Sequence, residues 1–273
     1  MLHVKSGVLT LDNHTMDYCS FGNGSKTLLL LSGLGDGLRT VKGTAMPIAW
    51  MYRAFAKQYT VFVFSRINEL TYGYTTKDMA RDVSLAMDAL GIRTASVLGI
   101  SLGGMIAQHL AADYPSRIEK AVLAVTLSKP NSIMQTVVQS WLAMAKAGTY
   151  KKLMIDTAEK SYSEAYLRSH RWIYTLMGLV GKPKDASRFI IQAESCLGHN
   201  AYDSLASIKC PTLVLGGSMD KIVGSVSSEE IAAQIPGSAL YLFEGLGHAA
   251  YEEAKDFNMR VLDFLCGADC PAL

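Results

Sequence analysis

Short, unbroken apolar runs recur along the chain, at residues 27–31, 59–64, 95–98, 121–125, 212–215 and 239–243. A run with no polar alternation is what a strand covered on both faces requires, and it points to a parallel sheet sandwiched between helices. The first strands differ. Residues 7–11 and 14–20 alternate around Asp12 and Asn13, which predicts an antiparallel hairpin at one sheet edge. Helical spacing fills the gaps between the runs. Residues 46–58 form one predicted helix, with Pro47 early in it. Thr75 or Asp78 caps a second, whose buried face is Met79, Val83, Ala86, Met87 and Leu90 and which Gly91 stops. Ser227, Ser228, Glu229 and Glu230 open a late helix that runs through Ile235, and residues 254–265 form a closing one. Strands alternating with helices give the α/β class.

The alternation lapses after Val125. Residues 127–205 carry helical stretches at 133–147, 150–159, 163–177 and 185–196 without an apolar strand run. The chain therefore divides into a core of residues 1–126 and 206–273 and a helical insertion of residues 127–205. The insertion is rich in Tyr, Trp and Met. Such side chains either pack the helices together or line an apolar pocket. Trp141, Tyr166, His170 and Trp172 are the candidates for the pocket, and His170-Arg171-Trp172 has the composition of a carboxylate-binding cluster.

Chemistry concentrates at the ends of the runs. The run at 95–98 leads into Gly99-Ile100-Ser101-Leu102-Gly103-Gly104, and a helical pattern follows from Met105. A serine flanked by glycines two residues away on each side, between a buried strand and a helix, fits a turn too tight for side chains at the flanking positions. The serine hydroxyl then stands at a helix N-terminus, where the dipole and free N–H groups favour developing negative charge. Asp220 follows the run at 212–215, and Gly245-Leu246-Gly247-His248 follows the last strand.

With these motifs the chain resembles the α/β-hydrolase fold superfamily, in particular esterase-like and enol-lactonase-like members with a helical cap. The resemblance extends through Gln108–Ile118 and covers nearly the whole chain outside the insertion. It implies a mostly parallel eight-stranded sheet flanked by helices. It implies a catalytic triad of Ser101, Asp220 and His248 in the order serine, acid, histidine. It also implies an oxyanion hole from the backbone N–H groups of Leu34 and Leu102. The loop bearing Leu34, Ser32-Gly33-Leu34-Gly35-Asp36-Gly37, departs from the family pattern: Ser32 replaces a histidine and Asp36 stands where a glycine is common. The activity implied is hydrolysis of a small or medium carboxylic ester through an acyl-enzyme on Ser101. Lactone, thioester and carbon–carbon bond hydrolysis use the same triad and stay open. Ser101 argues against haloalkane dehalogenases and epoxide hydrolases of this fold, which carry an aspartate there. A non-catalytic ligand-binding protein is the rival of another class, and the intact triad argues against it.

Bulk properties narrow the partners. The 273 residues are 49% apolar, enough for one large α/β domain with a substantial core. A net charge of +2 without basic runs excludes a nucleic-acid surface. No Gly-x-Gly-x-x-Gly follows the first strand and no cysteine–histidine cluster has metal spacing, so neither a metal nor another cofactor is expected. No leader-like segment opens the chain and no run spans a bilayer. Together with five scattered cysteines, this predicts a cytoplasmic protein with reduced thiols, a small-molecule substrate and no membrane partner. A homodimer is left open.

Overall fold

A computed structural model of the chain describes residues 2–180, 183 and 185–267. Its centre is one eight-stranded sheet in the order β1-β2-β4-β3-β5-β6-β7-β8. β1 (Lys5–Leu11) and β2 (His14–Phe21) form the antiparallel edge hairpin, and β2 also runs antiparallel to β4 (Tyr59–Ile67). β3 (Lys26–Leu31), β5 (Ala95–Ile100), β6 (Ile118–Ala124), β7 (Thr212–Gly217) and β8 (Ala239–Phe243) complete the parallel part. The unbroken apolar runs are explained by burial on both faces. Leu29 and Leu31 of β3 point into one core, Leu28 and Leu30 into the other.

The first core is closed by α2 (Thr76–Ala89) and α3 (Leu102–Asp113), through Met79, Val83, Ile106 and Leu110. The second is closed by α1 (Ala45–Met51) and the closing helix, through Ala49, Phe257, Val261 and Leu265. α2 begins with the predicted cap. The Thr75 hydroxyl accepts from the Asp78 N–H at 3.1 Å, and the Asp78 carboxylate accepts from the Thr75 N–H at 2.9 Å.

Between β6 and β7 come α4 (Ser132–Lys146), α5 (Tyr150–Ser161), α6 (Glu164–Val180) and α7 (Ser187–Leu197), with a short 3₁₀ turn at Tyr202–Ser207. α8 (Val226–Gln234) follows β7 and starts slightly ahead of its expected cap: Ser227 and Ser228 lie inside it. α1 is shorter than its sequence pattern. The chain tightens into a 3₁₀ turn at Arg53–Phe55, which eclipses residues three apart and stacks the Tyr52 and Phe55 rings, both buried, at 6.2 Å. The closing helix, α10 (Phe257–Cys266), starts three residues later than its pattern, after a separate short helix α9 (Ala250–Glu253) that ends where Ala254 turns extended.

Among the described residues no helix is long and apolar enough to cross a membrane. Cys19, Cys196 and Cys210 are not disulfide-bonded, and Cys270 lies outside the described residues.

Candidate active site

Ser101 sits between the end of β5 and the first turn of α3, with φ 55° and ψ −118°. An L-residue rarely adopts this conformation, and it is imposed by crowding on both sides. A Cβ at Gly99 would lie 2.4 Å from the Gly103 carbonyl oxygen; one at Gly103 would lie 1.8 Å from the Leu31 carbonyl oxygen. The two glycines let strand, helix and the end of β3 approach this closely, and the turn ejects the serine side chain from the sheet.

Two loops on the same sheet edge meet the Ser101 hydroxyl. His248 follows β8 and places Nε2 2.9 Å from Ser101 Oγ. Its Nδ1 lies 2.8 Å from Asp220 Oδ2, on the loop after β7. Both bonds are satisfied when the imidazole carries its proton on Nδ1, so Nδ1–H donates to Asp220 and Nε2 accepts from the serine. The other oxygen of Asp220 accepts the Ile222 and Val223 N–H groups at 2.8 and 3.0 Å. Burial alone would raise the Asp220 carboxyl, but His248 and the two backbone N–H groups outweigh it and hold the group below the ordinary aspartate value. A fixed anion therefore stands behind the imidazole. That arrangement can withdraw the serine proton and stabilise the imidazolium that results.

Leu34 and Leu102 flank the serine. Each is the first residue of a helical turn, so its N–H has no acceptor within that helix. Gly33 packs directly on the serine: a Cβ there would lie 3.2 Å from Ser101 Cβ.

A cavity of about 330 Å³ opens beside Ser101 and His248. Ile48, Met51 and Tyr52 line one side, Trp141, Thr157 and Ser161 of the insertion another, and Tyr251 a third. Of the four aromatic and basic residues expected there, Trp141 alone lines it, with its indole N–H donating to Asp156 at 2.7 Å. Tyr166, His170 and Trp172 are not among its lining residues. All three lie on α6, where the His170 ring stacks on Tyr166 at 4.0 Å and Trp172 is 65% exposed. Helical spacing marks residues sharing a face, and does not say which neighbour that face meets.

Tyr52 and Tyr251 stand far from the motifs and carry no signal in the sequence, and Asp36 enters there only as a departure from the family's loop pattern. Asp36 is 5% exposed and lines the same cavity. Its carboxylate pairs with Arg188 at 2.6 Å.

A family model described as the alpha/beta hydrolase fold matches residues 26–255. The chain belongs to the α/β-hydrolase fold family. It is 26% identical over 276 aligned positions to a 2-hydroxy-6-oxononadienedioate/2-hydroxy-6-oxononatrienedioate hydrolase of Pseudomonas putida, with 96% of this chain and 94% of that protein covered. It is 30% identical to the 2-hydroxy-6-oxo-6-phenylhexa-2,4-dienoate hydrolase of Burkholderia cepacia, over 68% of each chain. Among solved structures, the enol-lactonase from Burkholderia xenovorans LB400 superposes with a TM-score of 0.81 at 22% identity, covering 95% of this chain and 99% of the other. These α/β-hydrolase relatives are hydrolases. By name two of them act on dienoates and one is an enol-lactonase.

Proposed function

We propose that the protein is a serine hydrolase in which Ser101 is the nucleophile, His248 the general base and then acid, and Asp220 the group that fixes the imidazole. The observation that supports this most directly is the unbroken relay from Asp220 through His248 to Ser101, with contacts of 2.8 and 2.9 Å, at the mouth of the cavity. Ser101 Oγ attacks the substrate carbonyl while His248 Nε2 takes its proton. The anionic oxygen forms between the N–H groups of Leu34 and Leu102. His248 then protonates the leaving group, which departs and leaves an acyl-enzyme. Water, deprotonated by the same nitrogen, attacks the acyl carbon; the intermediate collapses, the carboxylic acid leaves and the serine recovers its proton. A cavity of about 330 Å³ fits a small or medium acyl group, and a carboxylic ester is the substrate class proposed.

A second reading concerns the bond. The two dienoate hydrolases act on compounds whose names contain carboxylates, an enol and a ketone but no ester, so hydrolysis there must cleave a carbon–carbon bond. The same serine, base and N–H pair serve that reaction once the substrate enol has tautomerised to a ketone.

The test is turnover of p-nitrophenyl esters of increasing acyl length, alongside an enol-lactone and a 2-hydroxy-6-oxohexa-2,4-dienoate. Labelling with a serine-directed phosphonate and mapping of the modified peptide complete it. Label on Ser101 with ester turnover supports the first reading, and label with turnover of the dienoate alone supports the second. Ser101→Ala should keep the fold and lose at least about a thousandfold in kcat. An unchanged rate would refute the assignment.

A further inference from the structure

Asp36 sits in the 3₁₀ turn Leu34–Gly37, on the loop that carries the Leu34 N–H. A turn former at a loop tip faces water. This carboxylate instead is 2% exposed and pairs with the Arg188 guanidinium. Its Oδ2 accepts from Arg188 Nη2 at 2.6 Å, from Gln192 Nε2 at 2.9 Å and from the Arg66 N–H at 3.3 Å. The second Arg188 contact is to the loop itself: its Nε donates to the Asp36 carbonyl oxygen at 3.1 Å. The Arg66 guanidinium, 2% exposed as a residue, donates to the Ser32 carbonyl oxygen. Arg188 also donates to the carbonyls of Ile67 at 2.7 Å and Arg66 at 2.9 Å.

The carbonyls of Ser32 and Asp36 bracket Gly33, Leu34 and Gly35. Both are held by guanidinium donors, which restrains the backbone between them, the Leu34 N–H included. Stability alone is a poor reason to keep such a cluster, because an apolar replacement often packs as well or better. Nor is the cluster fully satisfied: Asp36 Oδ1, Gln192 Oε1 and Arg66 Nε are buried without a hydrogen-bond partner in the structure. Its cost is matched by what it does to the loop.

We infer that Asp36, Arg188 and Arg66 form a positioning unit that aims the Leu34 N–H at the reacting oxygen. The inference rests on the reading of Ser101 as nucleophile. It also gives the insertion a part in the chemistry, since Arg188 and Gln192 lie on α7.

The experiment compares Asp36→Asn and Arg188→Gln with the wild-type chain, each normalised to the fraction of molecules that a phosphonate titrates at Ser101. Two substrates are used, a p-nitrophenyl ester and its thiono analogue, in which sulfur replaces the carbonyl oxygen. Sulfur accepts N–H hydrogen bonds poorly, so an aimed N–H pair favours the oxygen ester strongly and a misaimed pair does not. Each variant should lose about tenfold to a hundredfold in kcat with KM within about twofold, and the oxygen-to-sulfur rate ratio should fall at least about tenfold. A merely structural role would lower the melting temperature or the titratable fraction and leave that ratio unchanged per active site. Should both variants be insoluble, Gln192→Met removes one bond to Asp36 at constant charge, and about a threefold fall in the ratio is expected. A wild-type ratio in the soluble variants overturns the positioning unit. A wild-type chain that takes no label on Ser101 overturns the nucleophile assignment instead.

Discussion

Asp220→Asn replaces one oxygen with an NH₂ group and should abolish most of the turnover. In the wild-type chain one oxygen of Asp220 accepts the Ile222 and Val223 N–H groups and the other accepts His248 Nδ1–H at 2.8 Å. An asparagine can satisfy the two backbone donors only with its own carbonyl oxygen. The flipped rotamer would turn an NH₂ group onto them and strand two buried donors, at about 1–3 kcal/mol each. The amide NH₂ therefore faces His248 Nδ1, which must become an acceptor, and the ring proton moves to Nε2. That nitrogen then donates to Ser101 Oγ and cannot take its proton. Loss of the correct tautomer costs on the order of 10⁴ in kcat. At 1.36 kcal/mol per decade this is about 5.4 kcal/mol of transition-state stabilisation. The backbone bonds survive, so the fold should too. The assay is kcat and KM on a short p-nitrophenyl ester beside a thermal melt of the same sample. A folded variant that loses less than about thirtyfold would refute the reasoning and mean that another carboxylate orients the histidine.

Three further perturbations probe the frame of the site. Gly103→Ala places a Cβ 1.8 Å from a backbone oxygen that no rotamer change can move, so at least about 3 kcal/mol of stability should be lost, read by denaturant titration; a soluble variant of normal stability would contradict the elbow packing. Trp141→Leu removes ring volume from the cavity wall and should shift the acyl-length optimum upward at a cost of about 2–4 kcal/mol in stability, so an unmoved optimum would take Trp141 out of the acyl pocket. His199 is buried against the Thr76 hydroxyl at 2.9 Å and the His109 ring at 5.2 Å; burial first, and then the neighbouring His109, lower its pKa to about 3. A histidine harder to protonate in the folded state favours unfolding as pH falls below its ordinary value near 6.5. Stability should therefore drop between about pH 6.5 and 3, by up to roughly 4 kcal/mol, and His199→Asn should flatten the slope of denaturation midpoint against pH; an unchanged slope would assign the acid sensitivity elsewhere.

The strands were legible because burial on both faces leaves no room for polar residues, and the pattern needs no knowledge of neighbours. Ser101, Asp220 and His248 were legible for a related reason. Each follows a strand on the same sheet edge, so topology brings them together once the order of runs is known. Residues acting through tertiary docking were not legible. Asp36 has the local context of a turn, and its partner Arg188 lies 152 positions downstream. Tyr166, His170 and Trp172 share a helix whose register gives no hint of whether it meets the cavity or solvent. Helix α1 ended early because two aromatic rings pack better when the turn tightens, a preference that single-residue propensities do not carry.

Two of the ties between the insertion and the core reach the loops that carry site residues. Arg188 on α7 ties it to the loop after β3. Ahead of α6, the Ser163 N–H and hydroxyl donate to Glu253 at 2.9 and 2.6 Å, and the Tyr162 hydroxyl donates to Glu252, four residues past His248. The helical module is therefore not an interchangeable part. A graft from another hydrolase that exchanges these helices to import a new specificity would cut both fastenings. Such chimeras should recover activity only when the donor segment also carries an arginine for Asp36 and a hydroxyl for Glu253, and libraries that recombine at the ends of β6 and β7 should be built with those two pairs kept together.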